Sequence, residues 1–332
     1  MKTYDIYGLG AALVDTEIEV QDQELEAFAI AKGVMTLVDE PRQHALVDSL
    51  AGHLVTAKRA SGGSAANSVI AAAFFGSNTF FSCKVAQDDN GFFYLRDLAV
   101  AGVSYPVKTA VEAGITGKCL VLITPDAERT MNTFLGVSAE LSVQELDVDA
   151  LAASSYAYIE GYLVTSPTGR EAAVKLREEA ERLGVKTALS LSDPAMVTYF
   201  RDGLLEMVGG GVDILFCNES EALAFTHSHT LAEAEDRLGQ FCRTFAITCG
   251  ARGARVFDGV NLSLVPGVEV TAVDTNGAGD MFAGAFLHAI QSGFDYVQAA
   301  RFANRAAAQV VSQFGPRLKP EQHAELRSLL GH

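Results

Sequence analysis

Towards the end of the chain, Val273-Asp274-Thr275-Asn276-Gly277-Ala278-Gly279-Asp280 runs directly into Met281-Phe282-Ala283-Gly284-Ala285-Phe286. The small residues Gly277, Ala278 and Gly279 let a backbone approach a ligand closely. The apolar stretch behind them reads as a buried helix, whose first N–H groups lack an intrahelical partner. A start of this kind is an anion seat. Asp280 places a carboxylate beside it, which repels an anion and so needs a reason of its own. Taking up a proton is the chemistry that calls for one; a helix-capping aspartate is the plain alternative.

A second stretch of the same kind lies nearer the N-terminus. Ser61-Gly62-Gly63-Ser64-Ala65-Ala66-Asn67 opens the apolar run Val69 to Phe75, which stops at Gly76. A helix this apolar is buried, so its glycine-rich start points out of the core toward a cleft, with Asn67 one turn in. The competing reading is close helix–sheet packing, with Asn67 bonded to backbone.

These groups need a scaffold. From residue 156 onward, strand, polar loop and helix alternate. Tyr156–Ile159 leads into Glu160-Gly161-Tyr162, and Thr187–Leu191 into Ser192-Asp193-Pro194. Val212–Cys217, almost wholly apolar as a strand buried on both faces must be, leads into Asn218-Glu219-Ser220-Glu221. Phe245–Thr248 leads into Cys249-Gly250-Ala251-Arg252-Gly253. Ser166 with Pro167 starts a helix that Gly184 ends. The pattern predicts a doubly wound α/β sheet with right-handed crossovers. The C-terminal ends of its strands form one rim. Glu160, Asn218, Glu221, Thr248, Gly250 and the 274–280 loop fall there, with Asp15 expected just past a first strand over 4–9.

Between residues 103 and 136 the texture changes to short alternating segments, 103–107, 116–124 and 129–135, with a hairpin turn at 125–128. Together with 11–20 and 33–38 they predict a small antiparallel sheet. The expectation is a single domain, 1–332, with a lid formed by approximately 11–40 and 103–136. Arg129, opening the last segment, is either a solvated hairpin charge or a contact to a ligand. Helices are expected over 22–32, 41–50, 88–101, 279–292 and 295–313, and from Pro320. In the helix over 88–101, Phe92, Leu95, Leu98 and Ala99 are placed on one face.

Composition limits the function. The 332 residues are 49% hydrophobic and carry a net charge of -16. That argues against a nucleic-acid backbone as partner and suits a soluble cytoplasmic protein. Phosphate, if handled, must be held by backbone donors, a metal ion and a few local cations. Five scattered cysteines without a Cys-x-x-Cys pair argue against disulfides and zinc. No apolar run approaches the roughly 20 residues of a membrane helix, and no signal-peptide core is expected at the start. Gly8-x-Gly10 lacks the third glycine of a dinucleotide fingerprint, and Leu13–Val20 behind it alternates as a strand. His227 and His229 read as solvated loop residues.

Taken together, Asp274 to Asp280 with Met-Phe-Ala-Gly-Ala-Phe behind it resembles the C-terminal signature of the ribokinase-like (PfkB) carbohydrate and nucleoside kinase family. Ser61–Asn67 resembles its N-terminal signature, and Asn218-x-x-Glu221 its magnesium and phosphate motif. Arg129–Gly136 and Ser190–Pro194 look most similar to the adenosine-kinase-like branch. The resemblance implies a three-layer α/β/α sandwich with a mostly parallel sheet and a β-sheet lid. It also implies transfer of the γ-phosphate of ATP to a hydroxyl.

By the same resemblance Asp280 is the base, and the backbone of Gly277, Ala278 and Gly279 is the anion hole. Asp15, Gly62, Gly63 and Asn67 hold the acceptor's hydroxyls, with Glu160 and Arg129 also on the acceptor side. Asn218 organises phosphate, and Glu221 holds Mg2+ through water. Thr248, Gly250 and Gly253 border the nucleotide, with Asn304 near its base. Asp274 and the carbonyls of 310–315 stand where some members hold K+. The expected acceptor is a nucleoside, adenosine or a related ribonucleoside at its 5′-hydroxyl. The alternatives are a free sugar such as ribose, fructose or 2-keto-3-deoxygluconate, or a non-catalytic binding protein. Either a monomer or a homodimer suits the chain.

Overall fold

In a strand, successive side chains point to opposite faces, so a sheet with apolar residues at both parities must be covered on both sides. The computed structural model, which describes residues 2–53, 58–106, 109–111, 113–126 and 128–329, has this construction. In chain order its first strands are β1 (Tyr4–Leu9), β2 (Leu13–Glu19), β3 (Met35–Leu37) and β4 (Lys58–Gly62). Then come β5 (Thr79–Ser82), β6 (Val85–Ala86), β7 (Val103–Ser104), β8 (Ala110–Val111), β9 (Gly117–Ile123) and β10 (Arg129–Phe134). The last six are β11 (Ser154–Glu160), β12 (Lys186–Ser190), β13 (Val212–Asn218), β14 (Cys242–Thr248), β15 (Ala254–Phe257) and β16 (Leu262–Val265).

Nine of them form one sheet in the order β16-β15-β14-β13-β12-β11-β1-β5-β7. It is parallel from β7 to β14 and antiparallel across β15 and β16. Ile6, Tyr158, Ile214, Phe216 and Ala246 pack on one side, under helices Ser64–Phe75, Ala278–Gln291 and Tyr296–Val311. Tyr7, Leu9, Ile159, Leu215 and Ile247 pack on the other, under helices Pro167–Leu183, Pro194–Val208 and Glu219–Thr226. Pro167 and Gly184 act as expected. Ser166 accepts from the Gly169 N–H, and Gly184 caps the far end at φ +66°. Among the described residues no helix is long and apolar enough to cross a membrane.

A second sheet, β3-β10-β9-β2-β4, stands over the rim of the first. It is mixed rather than antiparallel: β2 runs parallel to β9 and β3 parallel to β10. Its edge strand β4 has no alternating apolar pattern and was legible only as the approach to the Gly62-Gly63 helix. β7, by contrast, was expected here and instead extends the edge of the large sheet beside β5. Val107 and Ala127, which fall in expected segments, lie outside the described residues.

Other boundaries shift too. The predicted helix over 22–32 spans only Asp22–Ala27. In helix Asp89–Val100 the buried face is Gly91, Tyr94 and Leu98, and Phe92 is 59% exposed. Tyr94 takes the inward position because its hydroxyl has a buried acceptor, the Gly62 carbonyl at 3.0 Å.

Candidate active site

Where the two sheets meet, a cavity of about 410 Å³ opens. Asp15, Gly63, Asn67, Arg129, Glu160, Asn218, Glu221, Thr248, Gly277, Ala278, Gly279 and Asp280 all line it. Residues separated by up to 265 positions thus share one space.

Helix Ala278–Gln291 begins at Gly277, left-handed at φ +72°. A Cβ there would stand 2.6 Å from Pro316 Cβ, so the turn needs glycine on two counts. The Met281 N–H closes the first intrahelical bond, to the Gly277 carbonyl at 2.7 Å. The amides of Gly279 and Asp280 belong to the open first turn at the cavity wall, as an anion seat requires. Asp280 is the third residue of this helix and does not cap it. Its Oδ1 accepts from Ser64 Oγ at 2.6 Å and its Oδ2 from Asn67 Nδ2 at 3.1 Å. Burial raises its pKa to about 6, against the lowering effect of those two bonds and of Arg317.

Asp15 is not at the end of β1. It sits in the middle of β2, in the second sheet, opposite Ala60 and Cys119. Gly62 lies against it: a Cβ on Gly62 would stand 2.1 Å from the Asp15 carboxylate. Burial raises the Asp15 pKa to about 7, with Arg317 the first opposing influence. Glu160, at the end of β11, accepts from the Ala11 N–H at 2.7 Å and the Ala65 N–H at 2.8 Å. Both of its oxygens therefore tie the β1–β2 turn to the start of helix Ser64–Phe75, a clamping role beneath its place in the cavity wall. Burial raises its pKa to about 7 as well.

Arg129 is not a solvated hairpin charge. It is buried, and its guanidinium donates through Nε and Nη2 to both oxygens of Asp274, with Glu17 at 3.3 Å. Asp274, fully buried, accepts also from the Asn276 N–H at 2.9 Å and the Gly315 N–H at 2.7 Å. The Val311 carbonyl is taken by the Val273 and Asp274 amides. With its carboxylate neutralised by a guanidinium, Asp274 does not fit a K+ ion, and no cation is assigned there.

Asn218 and Glu221 hold one another at the start of helix Glu219–Thr226. Glu221 N–H donates to Asn218 Oδ1 at 2.8 Å, and Glu221 accepts from Asn218 N–H at 2.9 Å and Nδ2 at 2.6 Å. Burial raises the Glu221 pKa to about 7. Among the described residues no group of three or more His, Cys, Asp or Glu could hold a metal by itself. One carboxylate with an amide beside it fits Mg2+, which keeps most of its waters and takes the rest of its ligands from phosphates.

Three expected nucleotide contacts lie outside the cavity wall. Gly250 borders open space, and Gly253 packs against Val265–Gly267. Asn304 donates to the Val265 and Pro266 carbonyls at 3.2 and 3.1 Å, so its amide anchors that same segment. Two residues that bear on Asp280 were missed. Ser64 follows the glycine pair and was legible as a hydroxyl at a helix start. Arg317 lies in a loop between helices, where nothing in the sequence sets it apart.

The family model described as pfkB family carbohydrate kinase matches residues 24–323. The fold is similar to the crystal structure of a probable sugar kinase protein from Rhizobium etli CFN 42. That similarity has a TM-score of 0.92 and 32% identity, over 99% of this chain and 100% of the other. Adenosine kinase from Sinorhizobium meliloti is similar at TM-score 0.91 and 33% identity, over 98% and 99% of the two chains. Adenosine kinase from Saccharomyces cerevisiae is 28% identical over 95% of this chain and 96% of its own.

Proposed function

The chain belongs to the pfkB carbohydrate kinase family, in its adenosine-kinase-like branch, and from that membership we propose that it phosphorylates the 5′-hydroxyl of adenosine or a related ribonucleoside. It is a kinase, with the ribokinase-like α/β fold and the ATP use of that family. The observation that carries the choice of acceptor is the mixed lining of the cavity. Asp15, Asn67 and Asp280 offer hydrogen bonds to hydroxyls. Leu13, Met35, Leu37 and Met131 of the second sheet, with Leu135 just after it, add apolar surface to the same wall. A ribonucleoside has both a hydroxylated and a flat apolar half. A free sugar would set hydroxyls against that apolar surface with no partner for them. Among the described residues of the cavity wall Arg129 is the only cation, already held by Asp274 and Glu17, which disfavours an acceptor that is itself phosphorylated.

In the proposed reaction Asp280 orients the acceptor hydroxyl and takes its proton as the oxygen bonds to the γ-phosphorus. The bond from that phosphorus to the bridging oxygen breaks and ADP leaves. The transition state is loose, so stabilising charge on the phosphoryl oxygens matters more than proton removal, and the 277–280 amides stand ready for it. Glu221 and Asn218 would hold Mg2+ toward the phosphates, whose charge the ion neutralises when bound. The lid role of the second sheet, over approximately 11–40 and part of 103–136, is part of the same proposal.

A coupled ADP-release assay over adenosine, inosine, ribose, fructose and 2-keto-3-deoxygluconate tests the acceptor. The expected result is a kcat/KM for a ribonucleoside at least about 100-fold above any free sugar. A free sugar turned over better than every nucleoside would sink the reading.

The same assay against pH carries a second expectation. Asp280 must be ionised to accept a proton, and its pKa lies near 6. Activity therefore falls about tenfold per pH unit on the acid side and levels off above roughly pH 7. Asp15 and Glu160 titrate close by, so the limb reports the coupled group. Activity unchanged down to pH 4.5 would exclude a base with so raised a pKa.

A further inference from the structure

Arg317 lies in the loop between helices Tyr296–Val311 and Pro320–Ser328. Its segment touches both halves of the site. The Gly315 N–H binds Asp274, Pro316 packs against Gly277, and the Arg317 side chain reaches helix Ser64–Phe75. There its Nε–H donates to Asn67 Oδ1 at 3.2 Å, and Nη1 donates to Asp97 Oδ2 at 2.8 Å. Asp97 is itself held by Ser61, through N–H at 3.2 Å and Oγ at 2.5 Å. The guanidinium is thus fixed from behind by a carboxylate that is fixed in turn.

The chemistry of the Asn67 amide makes this more than packing. A guanidinium has only donors and a carboxylate only acceptors. With Arg317 on one side and Asp280 on the other, the amide has one satisfactory orientation: Oδ1 toward Arg317 and Nδ2 toward Asp280. The groups facing Asp280 are Ser64 and Asn67, Asp15 from β2, Tyr158 and Glu160 from β11, Tyr162 after it, and Arg317. Arg317 alone among them is a cation.

We infer that Arg317 is a positioning residue for phosphoryl transfer: it locks the Asn67 amide so that its N–H faces Asp280, and its charge favours the ionised form of that carboxylate. The inference rests on the reading of Asp280 as the base. It assigns a role in the reaction to a residue that belongs to none of the family motifs.

The test is a double-mutant cycle with pH profiles. Arg317→Met lowers kcat by about 10- to 100-fold, leaves KM for ATP unchanged, and moves the acid limb of kcat/KM to higher pH. Asn67→Ala lowers kcat as well. If Arg317 acts through Asn67, the double variant is no worse than the poorer single one, within about twofold. Additive losses, or an acid limb that stays put in Arg317→Met, would overturn the inference. Arg317→Lys supplies an independent arm should Arg317→Met not fold. Keeping the charge but not the fork, it retains the acid limb and loses kcat, and a wild-type kcat in that variant also overturns the proposal. Asp280→Asn separates the two levels. Full activity there removes the reading beneath, whereas an inactive Asp280→Asn with additive Arg317 and Asn67 losses removes this inference alone.

Discussion

Asp280→Asn lowers kcat by about 10³-fold or more, equivalent to roughly 4 kcal/mol of transition-state stabilisation, with ATP affinity within about threefold of wild type. Asparagine keeps the shape of the side chain and can still accept from Ser64. It cannot take the proton, and it turns an amide toward Asn67 Nδ2, which already donates there. Stability moves the other way. The folded pKa of Asp280, about 6, is raised above the unfolded value of about 3.9 by burial. Between those values the folded state holds the proton more tightly, and above both the ionised buried carboxylate costs stability. A neutral isostere removes that cost, so the variant melts at the same temperature as wild type or higher at pH 8. Activity by coupled ADP release and melting by calorimetry give the two readouts. An active variant would contradict the catalytic role of the carboxylate, and an unfolded one the expected gain in stability.

Asp274→Ala is expected to be the most destabilising single change at the site. It leaves the buried Arg129 guanidinium with Glu17 alone, and it strips the Asn276 and Gly315 amides of their acceptor. Removing one partner of a buried ion pair costs about 3–5 kcal/mol, because the remaining charge stays desolvated. The loss should show in urea unfolding as a lower midpoint with an unchanged slope. The double variant Asp274→Ala, Arg129→Met should recover part of it, since the buried guanidinium is gone, while Glu17 and the Asn276 and Gly315 amides still lack their partner. A loss below about 1 kcal/mol would mean that Arg129 finds water or another partner. Activity should fall with stability, because this pair ties β10 of the second sheet to the head of the 274–280 loop, linking the acceptor side to the phosphate side.

That pair also shows why part of the site was unreadable. Arg129 and Asp274 are 145 positions apart, and each alone has several ordinary explanations. A cation in a hairpin is usually solvated, and an acidic residue before a glycine turn usually caps something. Only the close approach of the two sheets pairs them, and the pairing removes Asp274 from the role of cation ligand that the resemblance suggested. Asn304 is a similar case: its helix was predicted, but whether the amide faces a ligand or the Val265 and Pro266 carbonyls depends on a loop 38 positions away.

What the sequence determined by itself was local chemistry with a strong physical reason. The apolar run of β13 had to be an interior parallel strand, flanked on both faces. Gly277-Ala278-Gly279 had to open a buried helix, and Ser166 with Pro167 had to start another that Gly184 ends. Each rests on neighbours within a few residues, where geometry is nearly fixed by residue type. What only the tertiary structure decided was charge balance and sheet membership. β4 belongs to the second sheet, β7 to the first, and Phe92 to the surface. The carboxylates of Asp15, Glu160, Glu221 and Asp280 hold raised pKa values because folding desolvates them together. Burial is a property of the packed chain, so the strength of the base at Asp280, and the arginine that tempers it, could not be read from spacing.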